Sequence, residues 1–422
     1  MKKLAYVLIV SLILIFMVSS VFSQQKLTKK GSYYVAEFDK EFKVAEDGKL
    51  KIEDVTGDVN IKTWNKNLVR IKEVLQMDVY TKEEAEAVLE DAKTRYSQNG
   101  NTITIGGGNS YRSYMNSKYD ITLPEKFNAN VKTTGGDIHV EKLSGKAELK
   151  TAGGDIELNN MKGMVEATTA GGDVKVVKNT NSVQLKTSGG DIDIVDVMGE
   201  VDAKTSGGDI TVRNNKAKVD VKTSGGDIRL ENVGPDVSAK TSGGDIEING
   251  TRGDISVSTS GGDVDIVKVN GVVYARTSGG GINVSNVETG AVVSTSGGDI
   301  NLDDIRGYIE GSTSGGDIDA RMTLDDFSRD HHVKLSSSAG DVTLRIPEKL
   351  PATISARINL RHGGWNSGKP EYDIKSDFKL NKDVEGENGD IEAITGRAKI
   401  NGGGDLIDIV TSHGNIRILK IK

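Results

Sequence analysis

Apolar and polar positions in the middle of the chain alternate in short paired runs, and each pair returns at a fixed interval. The segment Thr-Ser-Gly-Gly-Asp-Ile, or a close variant, places its Asp position at 137, 155, 173, 191, 209, 227, 245, 263, 281, 299 and 317, with no insertion between copies. Ten of these eleven copies carry Asp and the ninth carries Gly281, while both preceding glycines are present throughout. The first and third residues after the Asp are aliphatic, as in Ile138 and Val140, Ile156 and Leu158, Ile192 and Ile194, or Ile228 and Leu230. The residue between them is polar (His139, Glu157, Asp193, Arg229), which is the period-two signature of a strand with one buried face. A second alternation starts ten residues after the Asp: Val201, Ala203 and Thr205, or Val219, Val221 and Thr223, face one way. Asp202 and Lys204, or Asp220 and Lys222, face the other. Glycines such as Gly145, Gly163, Gly199, Gly253, Gly271 and Gly307 punctuate the two runs, so each copy reads as strand, turn, strand, turn.

Coils of constant length stack in register, each strand pairing in parallel with its equivalent one coil away. Helical periodicity is absent from this stretch, so no helices cover the sheets. The predicted fold class is all-β: a parallel β-solenoid of 18-residue coils and two sheets enclosing an aliphatic seam, with one short N-terminal helix. The crossover rule predicts a right-handed winding. A single coil buries too little to offset its ordering entropy, so stability comes from stacking. Eleven coils spaced about 4.8 Å apart predict a rod on the order of 50 Å long. The left-handed hexapeptide helix has coils of the same length, but its apolar positions recur every six residues; here they fall at 1, 3, 10 and 12.

Composition supports this reading. Of 422 residues, 51 are Gly and 5 are Pro, and aromatics make up only 5%, which suits thin aliphatic layers better than bulky globular cores. Charged residues are 27% and of both signs, 54 basic against 61 acidic for a net charge of −7, which excludes a basic nucleic-acid binder and a disordered acidic tail. The absence of cysteine excludes disulfides, thiolate metal sites, a cysteine nucleophile and a lipid-anchored cysteine. Residues 1–23 read as a signal peptide. Lys2 and Lys3 precede an apolar run from Leu4 to about Val18, and Val21 and Ser23 offer a cleavage site before Gln24. The alternative is an uncleaved anchor, since the run from Leu4 to Ser23 nearly spans a bilayer. No second apolar stretch of spanning length follows, so the mature chain is expected to carry no transmembrane domain. The expected location is exported: periplasmic, cell-surface or secreted.

The flanks differ from the middle. Residues 24–130 are expected to form an N-terminal strand and helix cap region, 131–321 the regular solenoid, and 322–422 an irregular C-terminal continuation and cap. The first region holds a degenerate copy, Thr56-Gly57-Asp58-Val59-Asn60-Ile61. It also holds one helix at 81–96, with Thr81 and Glu84 as a capping box and Ala85, Val88, Leu89 and Ala92 as its apolar stripe. This helix is expected to cover an open sheet edge. Later copies are read at Gly340-Asp341-Val342, Gly404-Asp405-Leu406 and Gly414-Asn415-Ile416, around a Pro- and Gly-containing stretch from Pro347 to Pro370.

This order of parts resembles the bacterial putative-adhesin family of β-strand-repeat domains of unknown function. The resemblance runs from the Thr-Gly-Asp-Val-Asn-Ile copy through Glu83-Glu84-Ala85-Glu86-Ala87 and Gln98-Asn99-Gly100-Asn101-Thr102-Ile103-Thr104-Ile105 to the Gly-Gly-Asp-Ile coils. It ends on Tyr372-Asp373-Ile374-Lys375-Ser376-Asp377-Phe378 and Ile400-Asn401-Gly402-Gly403-Gly404, covering about residues 45–422. The resemblance implies an envelope-associated solenoid; some relatives accompany envelope-stress signalling systems. The chain departs from the family pattern in its unusually long, regular run of coils and in lacking an attached membrane module.

Several residue groups invite a chemical reading. The Asp column could bind calcium, as glycine-rich repeats with Asp do in secreted rolls. Only one turn per coil carries the Asp, however, so the expectation is that each carboxylate accepts hydrogen bonds from turn amides. The inward threonines, Thr133 to Thr313, could suggest an ice-binding face; their burial parity points instead to an internal hydroxyl ladder. Lys186, Lys204, Lys222 and Lys240 form an outward column that could bind polyanions, with Asp202 and Asp220 expected to neutralise it by cross-strand pairing. Asp325, Asp326, Asp330, His331 and His332 are the densest metal-like cluster but have no recognised ligand spacing. Tyr111, Tyr114 and Tyr119, near Gly106-Gly107-Gly108, read as a surface loop, with sugar stacking as the alternative; Tyr274 is a rare outward aromatic. No Gly-x-Ser-x-Gly, phosphate loop, paired catalytic carboxylates or His-Glu-x-x-His occurs. No catalytic, cofactor-binding or metal residue is therefore assigned.

The expected function is a non-catalytic binding or scaffold protein, adhesin-like by resemblance, whose partners are cell-surface, matrix or envelope components and not nucleic acid. The alternative is an envelope-stress sensing or signalling component. Less favoured is a polysaccharide-active β-helix enzyme.

Overall fold

The computed structural model describes residues 27–106, 115–360, 372–387 and 390–421; the signal-peptide reading of residues 1–23 lies outside them. Two open sheets face each other across one continuous aliphatic core, with the helix Lys82–Lys93 packed at the N-terminal end. In the first sheet, Ile138 pairs with Ile156, Ile156 with Val174, and so on through Ile300 with Ile318, each pairing parallel and one coil apart. In the second sheet, Ala147 pairs with Val165, and the same step continues to Ala291 with Ile309. The next step is longer in both sheets, from Ile318 to Val342 and from Ile309 to Val333. The extra residues form the segment between Met322 and Val333, tied down by buried Leu324.

One inward column escaped the period-two reading. Six residues after the Asp position, Leu143, Met161, Val197, Val233, Val269, Val287 and Ile305 are buried. Strict alternation would turn this position outward. The residue before it breaks the alternation: Lys142, Asn160, Lys178, Asp196, Asn214, Asn232, Gly250, Lys268, Asn286 and Asp304 all have φ between 52° and 84°. One left-handed residue per coil turns the strand end like a bulge and returns the next side chain to the core. Asn, Asp and Gly adopt this conformation readily; Lys142, Lys178 and Lys268 adopt it at an expense of about 1 kcal/mol each.

The ends are built differently from the coils. Strands Tyr33–Lys43, Leu68–Met77 and Met115–Pro124 pair antiparallel. Strand Gly57–Trp64 then joins Met115–Pro124 to Ile138–Glu141 in parallel. Helix Lys82–Lys93 begins with the expected capping box, in which Glu84 N donates to Thr81 Oγ1 and Thr81 N donates to the Glu84 carboxylate, both at 3.1 Å. Its buried residues Ala85, Val88, Leu89 and Ala92 pack with Tyr34, Ala36, Phe38, Leu75, Met77 and Met115. The helix thus covers a sheet face, not the edge expected of it, because its apolar stripe matches the inward side chains of the long antiparallel strands. The edges are blunted by short or charged strands: Thr28–Lys30 and Ile374–Ser376 in the first sheet, Tyr96–Asn99 and Asn381–Glu387 in the second.

At the C-terminal end, chain order and spatial order part. Strand Asp405–Thr411 inserts between Val333–Ser337 and Ala352–Asn359, and Ile416–Ile421 inserts between Val342–Pro347 and Ile374–Ser376. The Gly414-Asn415 copy occupies a true turn position, with Asn415 N donating to Asp341 Oδ1 at 2.7 Å. The Gly404-Asp405 copy does not. Asp405 opens a strand of the second sheet, and its Oδ2 accepts from His331 N at 3.0 Å, so a two-residue match is too short to define the turn.

Candidate functional site

The repeated turn is a hydrogen-bonded spine. Each column Asp accepts, through Oδ1, the amide of the equivalent residue one coil onward: Asp155 N to Asp137, Asp173 N to Asp155, and so on to Gly281 N on Asp263, all at 2.8–2.9 Å. The degenerate copy joins the spine, with Asp137 N donating to Asp58 Oδ1 at 3.1 Å. The acceptor thus serves the next coil's turn, linking neighbours. Carboxylates engaged in this way hold the coils in register.

The inward threonines do not bond to one another along a ladder, as the sequence suggested. Thr151 Oγ1 donates to Gly136 O in the preceding coil at 2.9 Å and accepts Gly154 N of its own turn at 3.3 Å. The same pair of bonds recurs to Thr313, with Gly298 O at 3.0 Å and Gly316 N at 3.2 Å. Two polar groups per hydroxyl are better satisfied by the two turn backbones than by a neighbouring hydroxyl, because buried amides and carbonyls need partners. The second glycine of each pair is required by this close approach. A Cβ on Gly226 would fall inside contact distance of the Gly208 carbonyl and 2.7 Å from Asp209 Oδ1.

Lys186, Lys204, Lys222 and Lys240 do stand in register on the outer face of the second sheet. At Lys204 the hydrogen-bonded carboxylate is in the same strand, and Asp220 of the next strand adds a weaker attraction. Lys204 Nζ lies 2.8 Å from Asp202 Oδ1, which raises the Lys204 pKa; the i,i+2 spacing on one face favours this reach, while lateral neighbours repeat the same residue type. Tyr119, one of the three proposed loop tyrosines, is fully buried in Met115–Pro124; Tyr111 and Tyr114 lie outside the described residues. Its parity within a long strand, invisible from the neighbouring Gly run, places it inward.

Tyr119 borders a buried charge cluster that sequence reasoning missed. Arg95 Nη2 lies 2.9 Å from Glu73 Oε1, Ser117 Oγ donates to the same oxygen at 2.6 Å, and the Tyr96 hydroxyl donates to Glu73 Oε2. Burial, reinforced by the Glu73 charge, pushes the Tyr96 and Tyr119 hydroxyl pKa values upward. These groups satisfy one another and pin helix and sheet together; their partners lie far apart in sequence, so no local motif announces them.

The two adjacent histidines point apart. His331 is buried with its ring nitrogens against Arg329 O at 2.8 Å and Pro351 O at 2.9 Å. His332 is outward, its ring between Asp330 at 2.7 Å and Glu310 at 3.3 Å. Burial lowers the His332 pKa, but the two carboxylates outweigh it and hold it above 6.5. Asp326 is occupied by Ser328. Among the described residues no cluster of three or more His, Asp or Glu is arranged to hold a metal. An acid-rich groove of about 400 Å³ has its carboxylates committed: Asp341 pairs with Arg417 at 2.9 Å, Asp319 pairs with Arg345, and Asp317 Oδ1 accepts Asp341 N at 2.8 Å.

Fold and surface together define a repeat protein of the parallel β-solenoid class, whose turn side chains hold neighbouring coils in register. The chain belongs to the Toastrack DUF4097 family, whose model matches residues 49–235 and again 231–419. The two matches meet within the regular coils, where pairing continues unbroken from Ile228 to Ile246. Curated protein sequences gave no match. Among solved structures, a putative adhesin from Bacteroides fragilis is similar at 19% identity, over 57% of this chain and 96% of that one, with a TM-score of 0.34. A putative cell adhesion protein from Clostridium sporogenes is similar at 10% identity, over 91% of this chain and all of that one, with a TM-score of 0.16. No described helix is long and apolar enough to cross a membrane.

Proposed function

We propose that the chain is an exported, non-catalytic, adhesin-like binding and scaffold protein of the cell surface or periplasm. The observation that carries this reading is the continuous register of eleven coils. It repeats outward Lys, Asp, Ser and Thr positions along a rod while committing the polar turn groups to inter-coil bonds. Such a surface suits many weak, simultaneous contacts, in which effective concentration supplies avidity. An acid–base enzyme needs carboxylates free to exchange protons, and the closest sets here are held by arginines and backbone amides.

The test is fractionation of the native cell followed by proximity labelling. Surface exposure with host or matrix neighbours is the expected result. Periplasmic residence beside a membrane signalling protein would replace this reading with envelope-stress sensing, and depolymerisation of a glycan by the purified protein would replace both.

A further inference from the structure

In a chain with 5% aromatic residues, three rings converge on the outer face of the second sheet. Tyr308 opens strand Tyr308–Thr313, with Gly290 as its lateral partner in the preceding coil, while His332 directly precedes Val333, the partner of Ile309 in the following one. Its ring leans across Gly290, where a Cβ would stand only 2.7 Å from two ring carbons. From the other side the His332 ring stacks on it, with centroids 5.0 Å apart and planes 9° from parallel. Burial and the neighbouring Tyr274, itself 46% exposed, push the Tyr308 hydroxyl up to about 12. The rim is polar and nearly balanced. Glu310 and Asp330 flank the His332 ring, and Arg276 Nε donates to Ser294 Oγ at 3.1 Å.

We propose that Tyr274, Tyr308 and His332 form a binding platform for neutral pyranose glycans. A pyranose offers a C–H face that packs on the exposed Tyr274 ring, with the Tyr308–His332 stack as the wall beside it, and hydroxyls that pair with carboxylates and a guanidinium. The strand spacing of about 4.8 Å places these groups at intervals comparable to one sugar ring. The near balance of acids against Arg276 and His332 disfavours a strongly charged ligand. The absent side chain at Gly290 is the device that lets Tyr308 lie over the neighbouring coil and meet Tyr274. This inference rests on the binding reading above and names its ligand class.

The experiment titrates the full mature protein by calorimetry with linear hexasaccharides of β-1,4-glucan, β-1,3-glucan, α-1,4-glucan and β-1,4-mannan. At least one is expected to bind with a dissociation constant of about 1 mM or tighter. Tyr274→Ala should weaken it at least about tenfold, and Gly290→Ala should do the same with every aromatic still present. Tyr80→Ala, at an exposed tyrosine remote in sequence, should leave it unchanged. Circular dichroism confirms that each variant folds. Absence of binding for all four sugars, or binding that survives both Tyr274→Ala and Gly290→Ala, overturns the proposal. Surface contacts without sugar binding would leave the functional reading standing and remove this one.

Discussion

Replacing the second glycine of one turn tests how tightly the coils depend on backbone contact. In Gly226→Ala the new Cβ would overlap the Gly208 carbonyl and sit 2.7 Å from Asp209 Oδ1. Relief requires the turns of adjacent coils to move apart. That movement weakens three bonds between the two turns: Thr223 Oγ1 to Gly208 O at 2.8 Å, Gly225 N to Ser206 O at 3.1 Å, and Asp227 N to Asp209 Oδ1 at 2.8 Å. At about 0.5–1.5 kcal/mol each, with about 1–3 kcal/mol of overpacking strain, the expected loss is about 2.5–7.5 kcal/mol. The first glycine is the control. A Cβ on Gly225 comes no nearer than 3.4 Å to Gly207 O, so Gly225→Ala is expected within about 1 kcal/mol of wild type. Denaturant unfolding, with hydrogen exchange to localise the effect to the coils around residue 226, measures both. Equal stability of the two variants would refute the reasoning.

Other expectations are independent of that one. Gly281→Asp gives Asp299 N the carboxylate acceptor it lacks, and is expected to stabilise by about 0.5–1.5 kcal/mol in denaturant melts; because the spine is protein-only, chelator should leave the melting midpoint unmoved, and collapse reversed by calcium would contradict the capping role. Glu73→Ala leaves Arg95 buried without its carboxylate and should cost about 3–5 kcal/mol, read as lost exchange protection in strands Leu68–Met77 and Met115–Pro124. The raised His332 pKa contributes stability that is full below the ordinary value of 6.5 and lost as pH rises through the higher folded value. A melting series across neutral pH should therefore decline in wild type, and the slope should diminish in His332→Gln.

The coil was readable because one period was repeated eleven times, letting Ile138 and its equivalents announce the strands and their neighbours together. Backbone detail inside the coil was less visible. Lys142 and Lys268 have poor left-handed propensity, so nothing at those positions marked the turn that buries Leu143 and Val269; only the Asn, Asp and Gly at equivalent places carried the signal. Thr151 shows the same limit. Its parity gave its burial, but the partner of its hydroxyl depends on how closely two turns approach. The aromatic platform was half legible: Tyr274 was outward by alternation, whereas Tyr308 and His332 join it only through lateral register, across two regular steps and then the longer one. The Glu73–Arg95 pair came from tertiary packing alone.

Adhesion itself tests the central claim most directly. Attachment of the native cell to matrix-coated surfaces would be counted for wild type, a deletion strain and the complemented deletion, with purified protein as competitor. The account predicts that deletion reduces attachment, complementation restores it, and the purified protein competes without shortening any surface glycan. Unchanged attachment in the deletion strain, or glycan chains shortened by the purified protein, would contradict it.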